Sequence, residues 1–144
     1  MEVKIKKLNP EAVVPTYGSA YSAGADLYAC IDSAVTIAPG ETKLIGTGLS
    51  AEIPEGFGGF IYARSGLATK KGLAPANKVG VVDADYRGEI MVALYNQSAT
   101  AQTVEKGERV AQLVIAPFLK AEFVVADELS DTVRGEGGFG STGA

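Results

Sequence analysis

The sequence predicts an all-β fold, a sandwich or a barrel, from three observations. Short apolar runs recur at a spacing of roughly 8–12 residues, turn residues separate them, and β-branched side chains are frequent along the 144-residue chain. Taken in order, Val3 with Ile5 and residues 34–37, 42–45, 49–53, 57–62, 79–82, 90–95, 100–104, 110–116 and 121–125 all read as strands. Pro39-Gly40, Pro54-Glu55-Gly56 and Lys106-Gly107 supply turns between them. The run Ile90-Met91-Val92-Ala93-Leu94-Tyr95 is apolar on both faces and predicts a strand buried on both sides. Only residues 65–71 suit a helix, and a short one. The organisation expected is one all-β domain over residues 1–126 and a flexible glycine-rich arm over residues 127–144.

Composition narrows the chemistry. Histidine and tryptophan are absent, so any proton transfer rests on carboxylates, lysine, tyrosine or the lone cysteine. Cys30 has no partner for an intrachain disulfide, which predicts a reducing, cytoplasmic setting, and its neighbours Leu27, Tyr28, Ala29 and Ile31 mark it as a small core residue. The start of the chain alternates too early for a signal-peptide core, and no apolar run approaches membrane-spanning length. The Asn96-Gln97-Ser98 sequon is therefore expected to stay unmodified. A net charge of −4 argues against a protein that grips a nucleic-acid backbone. A hydrophobic content of 47% with mean hydropathy +0.14 leaves an apolar surplus that hints at subunit interfaces.

Four internal segments break the β pattern with polar residues, and such local conflicts tend to mark function. Asp26 enters an apolar strand in Ser22-Ala23-Gly24-Ala25-Asp26-Leu27, and a strand runs straight into Arg64-Ser65-Gly66. Residues 77–88 read as a hairpin whose tip carries Asp83, Asp85, Tyr86 and Arg87, and Arg109 and Gln112 sit among apolar neighbours. Each has a structural alternative. Asp26 and Arg109 suit an ion pair, Ser65 a helix cap, Asp83 and Asp85 a turn, and Gln112 a bond to a neighbouring strand. The tail from Arg134 to Ala144 adds five glycines around Phe139, Ser141 and Thr142. It combines a ring able to stack on a base, a guanidinium for phosphate, and glycines that let backbone amides approach. Gly138-Phe139-Gly140-Ser141-Thr142-Gly143 also fits the dinucleotide pattern G-x-G-x-x-G, but no helix follows it, so that reading fails.

In this order, Gly24-Ala25-Asp26-Leu27, Arg64-Ser65-Gly66-Leu67-Ala68, the run from Gly80 to Gly88, Arg109-Val110-Ala111-Gln112 and the tail resemble the five motifs of the homotrimeric dUTP pyrophosphatases, or dUTPases. The resemblance spans residues 24–143. It implies a jelly-roll-like (β-clip type) domain, a homotrimer with sites shared between subunits, and Mg²⁺-assisted hydrolysis of dUTP to dUMP and pyrophosphate. By the same resemblance, Asp83 is the base for the attacking water, with Arg64 and Gln112 assisting catalysis. Asn77, Gly80, Val81 and Val82 would read uracil, and Tyr86 would pack under the deoxyribose. Ser65, Gly66, Arg134, Gly140, Ser141 and Thr142 would serve the phosphates, Phe139 would stack on the base, and Asp26 would be at most an outer-sphere partner of the metal. Three rival readings stay open: a dCTP deaminase, which resembles dUTPases in fold, a nucleotide-binding regulator, and a structural β-trimer.

Overall fold

A computed structural model describes residues 1–140 of the chain. Twelve strands and one helix follow in order: β1 Lys4–Lys7, β2 Thr16–Tyr17, β3 Ala25–Tyr28, β4 Val35–Ile37, β5 Thr42–Gly46, β6 Leu49–Glu52, β7 Phe57–Tyr62, α1 Ser65–Lys71, β8 Leu73–Pro75, β9 Gly80–Val82, β10 Met91–Asn96, β11 Gln102–Val104 and β12 Arg109–Pro117. Every ladder is antiparallel. The largest sheet has the order β2-β3-β12-β7-β9, and β5-β10-β8, β1-β6 and β4-β11 form smaller ones. The sheets stay open, so of the two architectures expected the sandwich, not the barrel, is found. Alternate residues of these strands point inward, and Leu27, Ile37, Ile45, Leu49, Leu73, Val92, Leu94, Val104 and Val110 form a core closed to solvent.

Several expectations need correction. Residues 121–125 form no strand and pair with no strand of the described residues. Apolar β-formers need a cross-strand partner to hold an extended ladder, and this segment stays solvent-exposed in its own chain. The hairpin reading of residues 77–88 also fails. β9 pairs with β7 and β10 with β5 and β8, so the chain crosses from one sheet to another through residues 83–90. β10 is buried on one face only. Val92, Leu94 and Asn96 point inward, while Met91, beside Leu44 of the neighbouring strand, is exposed on an uncovered apolar face. Thr16–Tyr17 and Leu73–Pro75 are strands that the pattern did not reveal. β8 carries Pro75 at a sheet edge, where a missing N–H is tolerated.

Two turns fix the geometry around the site. Arg64, extended and without a side-chain cap, holds the N-cap position just before α1, so Ser65 is the first helical residue and does not cap the helix. α1 ends at Gly72, whose left-handed φ of 66° lets its N–H reach the Ala68 carbonyl at 3.1 Å. The sequon Asn96 is fully buried: its Nδ2 donates to the carbonyls of Ile37 and Thr100 at 2.9 and 2.8 Å, which closes it to glycosylation.

Candidate active site

The five-stranded sheet builds one cleft from its central strands. Asp26 of β3, Gln112 of β12 and Tyr62 of β7 lie directly across from one another, on one face of the sheet. Arg109 precedes Gln112 by three residues, a spacing that points opposite ways on a regular strand. A β-bulge between Arg109 and Ala111 supplies the extra residue, Val110 and Ala111 are both buried, and Arg109 turns to the same side as Gln112. The result is a cleft of about 360 Å³ where Asp26, Arg64, Ser65, Gly66, Arg109 and Gln112 meet.

Charge organises this cleft. The Arg64 Nε donates to Asp26 Oδ1 at 2.7 Å, and an Arg109 Nη donates to Asp26 Oδ2 at 3.2 Å. Both oxygens of one largely buried carboxylate are thus spent on two guanidiniums. The expected Asp26–Arg109 pair is present, with Arg64 as a third member. Each arginine keeps further N–H groups for an anion. Gln112 Nε2 donates to the Ala63 carbonyl at 2.8 Å, holding the turn that carries Arg64. That bond fulfils the structural alternative for Gln112 while leaving its Oε1 beside Gly24. A Cβ at Gly24 would collide with the Gln112 carboxamide, so glycine is what admits it.

A second cleft, of about 250 Å³, opens beside β9, where Asn77, Gly80, Val81, Val82, Asp83 and Tyr86 come together. β9 is the edge of its sheet, so the backbone groups facing away from β7 have no ladder partner. Gly80 lets the Asn77 amide and the Ile61 side chain close in, since a Cβ there would press on both. The Asp83 carbonyl accepts the Tyr86 N–H at 3.1 Å, fulfilling the turn expected of this aspartate. Its carboxylate is exposed and has no hydrogen-bond or ion-pair partner among the described residues. Tyr86 Oη donates to the Glu89 carbonyl at 2.9 Å, and the ring lies against Gly88, where a Cβ would overlap it. Glu89 accepts the Gly48 N–H at 2.8 Å and Ser50 Oγ donates to the Arg87 carbonyl at 2.7 Å, tying the loop to the core.

The structure brings the expected residues together in two groups, not one. No residue lines both clefts. Val82, just before Asp83, sits opposite Gly59, whereas Arg64 lies beyond Tyr62 at the far end of β7. The strand between them alone spans about 10 Å. The arm joins neither group: Arg134 Nε donates to the Gly137 carbonyl at 2.8 Å, and Phe139 is fully exposed. Ser141 and Thr142 lie outside the described residues. Glu89 was not singled out by sequence, and Gly24 and Arg109 stood in the quoted motifs without a site role of their own. Arg109 carried a signal as a charged residue within a strand, but the bulge that turns it inward has no sequence mark.

A model of the dUTPase family matches residues 10–143. The deoxyuridine 5'-triphosphate nucleotidohydrolase of Nautilia profundicola is 54% identical over 143 residues, covering 99% of both chains. Its counterpart in Desulfitobacterium hafniense is 53% identical over 131 residues, covering 90% of this chain and 87% of that one. Among solved structures, the Staphylococcus bacteriophage 80alpha dUTPase with dUPNHPP superposes with a TM-score of 0.90 at 29% identity, over 99% of both chains. Two separate clefts, one of paired guanidiniums and one of open backbone with a free carboxylate, thus sit in a chain that belongs to the dUTPase family.

Proposed function

We propose that this chain hydrolyses dUTP to dUMP and pyrophosphate, as a dUTP diphosphatase. The observation that carries the reading is the cleft at β9, where an unpaired strand edge adjoins the one site aspartate whose carboxylate is unengaged. Uracil offers acceptors and one donor along an edge, which a bare strand edge answers with N–H and C=O groups. A base lying against main chain leaves no room for a 5-methyl, which excludes thymine, and cytosine would leave buried groups unpaired. Tyr86, held by Gly88 and Glu89, packs under the deoxyribose and disfavours a 2′-hydroxyl. Asp83 orients the attacking water and accepts its proton. An ionised aspartate is a weak base, so orientation matters as much as proton transfer.

Arg64, with Ser65, Gly66 and Gln112, takes the phosphates, and the tail adds Arg134, Gly140, Ser141 and Thr142 with Phe139 over the base. Asp26 serves to aim Arg64 and Arg109. No three of Cys, Asp or Glu converge as metal ligands among the described residues, so the fit is to Mg²⁺ carried by the triphosphate with its own waters. When bound, the ion neutralises charge on the phosphate oxygens.

The complete site forms between chains. The β9 cleft of one copy meets the guanidinium cleft of another, and the arm of a third closes over them, in a homotrimer. Their separation within one chain supports this, as do the uncovered apolar residues Leu44, Met91, Phe123 and Val125. Free Cys30 suits a cytoplasmic location. The test is pyrophosphate release with Mg²⁺ from dUTP, dCTP, dTTP and UTP, with ammonia followed in parallel. Release from dUTP alone is expected, whereas ammonia from dCTP would make the chain a deaminase.

A further inference from the structure

Lys78 and Phe139 are the two non-glycine residues with a positive φ among the described residues, and at Lys78 the angle is 65°. An L side chain is crowded in that region, which glycine, asparagine and aspartate fill more readily. The Lys78 side chain gains nothing from the position: it is exposed, and its ammonium makes no hydrogen bond or ion pair among the described residues. The backbone holds the conformation instead. Lys78 N–H donates to the Pro75 carbonyl at 3.0 Å, and Val79 N–H donates to the Asn77 carbonyl at 2.7 Å, which closes a three-residue turn around Lys78. A turn of this kind with a positive φ at its centre is the rarer, strained form. It lies where two sheets are bridged. β8 pairs with β10 as far as Pro75, β9 pairs with β7 from Gly80 on, and only residues 76–79 join them. Asn77 and Gly80, on either side of the turn, both line the β9 cleft. They also approach each other closely: a Cβ at Gly80 would stand 3.4 Å from Asn77 Nδ2.

We propose that the strained turn at Lys78 is a positioning element for base selection, fixing Asn77 against β9 before a nucleotide arrives. The proposal rests on the reading of the β9 cleft as the uracil site. A carboxamide carries a donor and an acceptor side by side, so by turning over it can answer cytosine as well as uracil. Asn77 makes no side-chain hydrogen bond among the described residues that would choose between the two. What restrains it is its own backbone, set by the turn, and the close approach to Gly80. A turn with one accessible shape keeps that restraint in the empty protein, whereas a turn free to open lets Asn77 follow whichever base enters. Strain that the surroundings hold in place concentrates at ligand sites. The structural alternative is that residues 76–79 are too few to span the two sheets without a left-handed residue.

The test measures dUMP and dCMP binding to the intact protein by calorimetry, which reads base choice without turnover. Lys78→Gly frees the turn, and Lys78→Asn keeps a side chain that tolerates a positive φ. In Lys78→Gly the preference for dUMP over dCMP is expected to fall by about three- to tenfold, as for the ordering of one or two side chains on binding, while the thermal midpoint stays level or rises. Lys78→Asn should keep the wild-type preference to within about twofold. An unchanged preference in folded Lys78→Gly, equal weakening of both nucleotides included, overturns the proposal and leaves the turn a plain connection. An equal loss of preference in Lys78→Asn also overturns it, by assigning the effect to the lysine side chain. Wild-type protein without a preference for dUMP removes the uracil site and the proposal with it. Wild-type protein that prefers dUMP, loses the preference in Lys78→Gly and yet does not turn over dUTP would instead sink the hydrolase reading and leave the role of the turn standing.

Discussion

Asp26 and Asp83 are both site aspartates, and they live in opposite conditions. Asp26 sits mid-strand beside the core with each oxygen bonded to an arginine, whereas Asp83 sits at the exposed end of a three-residue edge strand with its carboxylate unengaged. A carboxylate already bonded to two guanidiniums makes a poor base but a good anchor. One that faces water without a partner is available to orient a water and take a proton. In the proposed mechanism the same side chain thus does architectural work in one cleft and chemical work in the other, and the difference lies in what the fold places beside it.

The largest effect that tests this contrast is on Asp83. Asp83→Asn should retain binding of a non-hydrolysable dUTP analogue while kcat falls by about 10²–10⁴, the usual worth of a general base. Equal loss of binding and turnover would mean that Asp83 is also an anchor. Deleting residues 134–144 should lower kcat/KM by about 10²-fold while the assembly and the thermal midpoint are kept; light scattering and calorimetry read this directly. Asp26→Asn should act mainly on stability. It leaves Arg64 and Arg109 without their counter-ion, so a loss of about 1–3 kcal/mol in denaturant unfolding is expected, with catalysis weakened through Arg64. The smallest effect is Gly24→Ala, whose new Cβ displaces the flexible Gln112 carboxamide. A drop of about tenfold in kcat/KM with an unchanged unfolding midpoint would separate positioning from folding.

Much of this was legible in the chain. Alternation marked most of the strands, and the polar interruptions at Asp26, Arg64, residues 80–88 and Arg109 were where the clefts lie. What was not legible depended on partners distant in sequence. Turn residues showed that the chain bends between residues 82 and 91, but not that β9 would pair with β7 instead of β10. The Arg64–Asp26 bond joins residues 38 positions apart, and nothing local to either foretells it. A bulge costs one residue and leaves no signature, so the turn of Arg109 toward Gln112 came only from register. Residues 121–125 have the composition of a strand and lack only a partner within their own chain. The apolar surplus in the composition is found outside the core, on residues such as Leu44 and Phe123.

The central claim is that the free carboxylate and the paired guanidiniums of one chain serve different sites. Co-refolding Asp83→Asn chains with Arg64→Gln chains tests it most directly, once each variant alone has been shown to be folded and inactive. In the proposed trimer, a mixed assembly would contain a site with an intact Asp83 from one chain and an intact Arg64 from another. The account predicts that dUTP turnover reappears in the mixture and tracks the fraction of hybrid assemblies measured by native mass spectrometry. Hybrids that form and remain inactive would show that both residues must come from the same chain, and would contradict it.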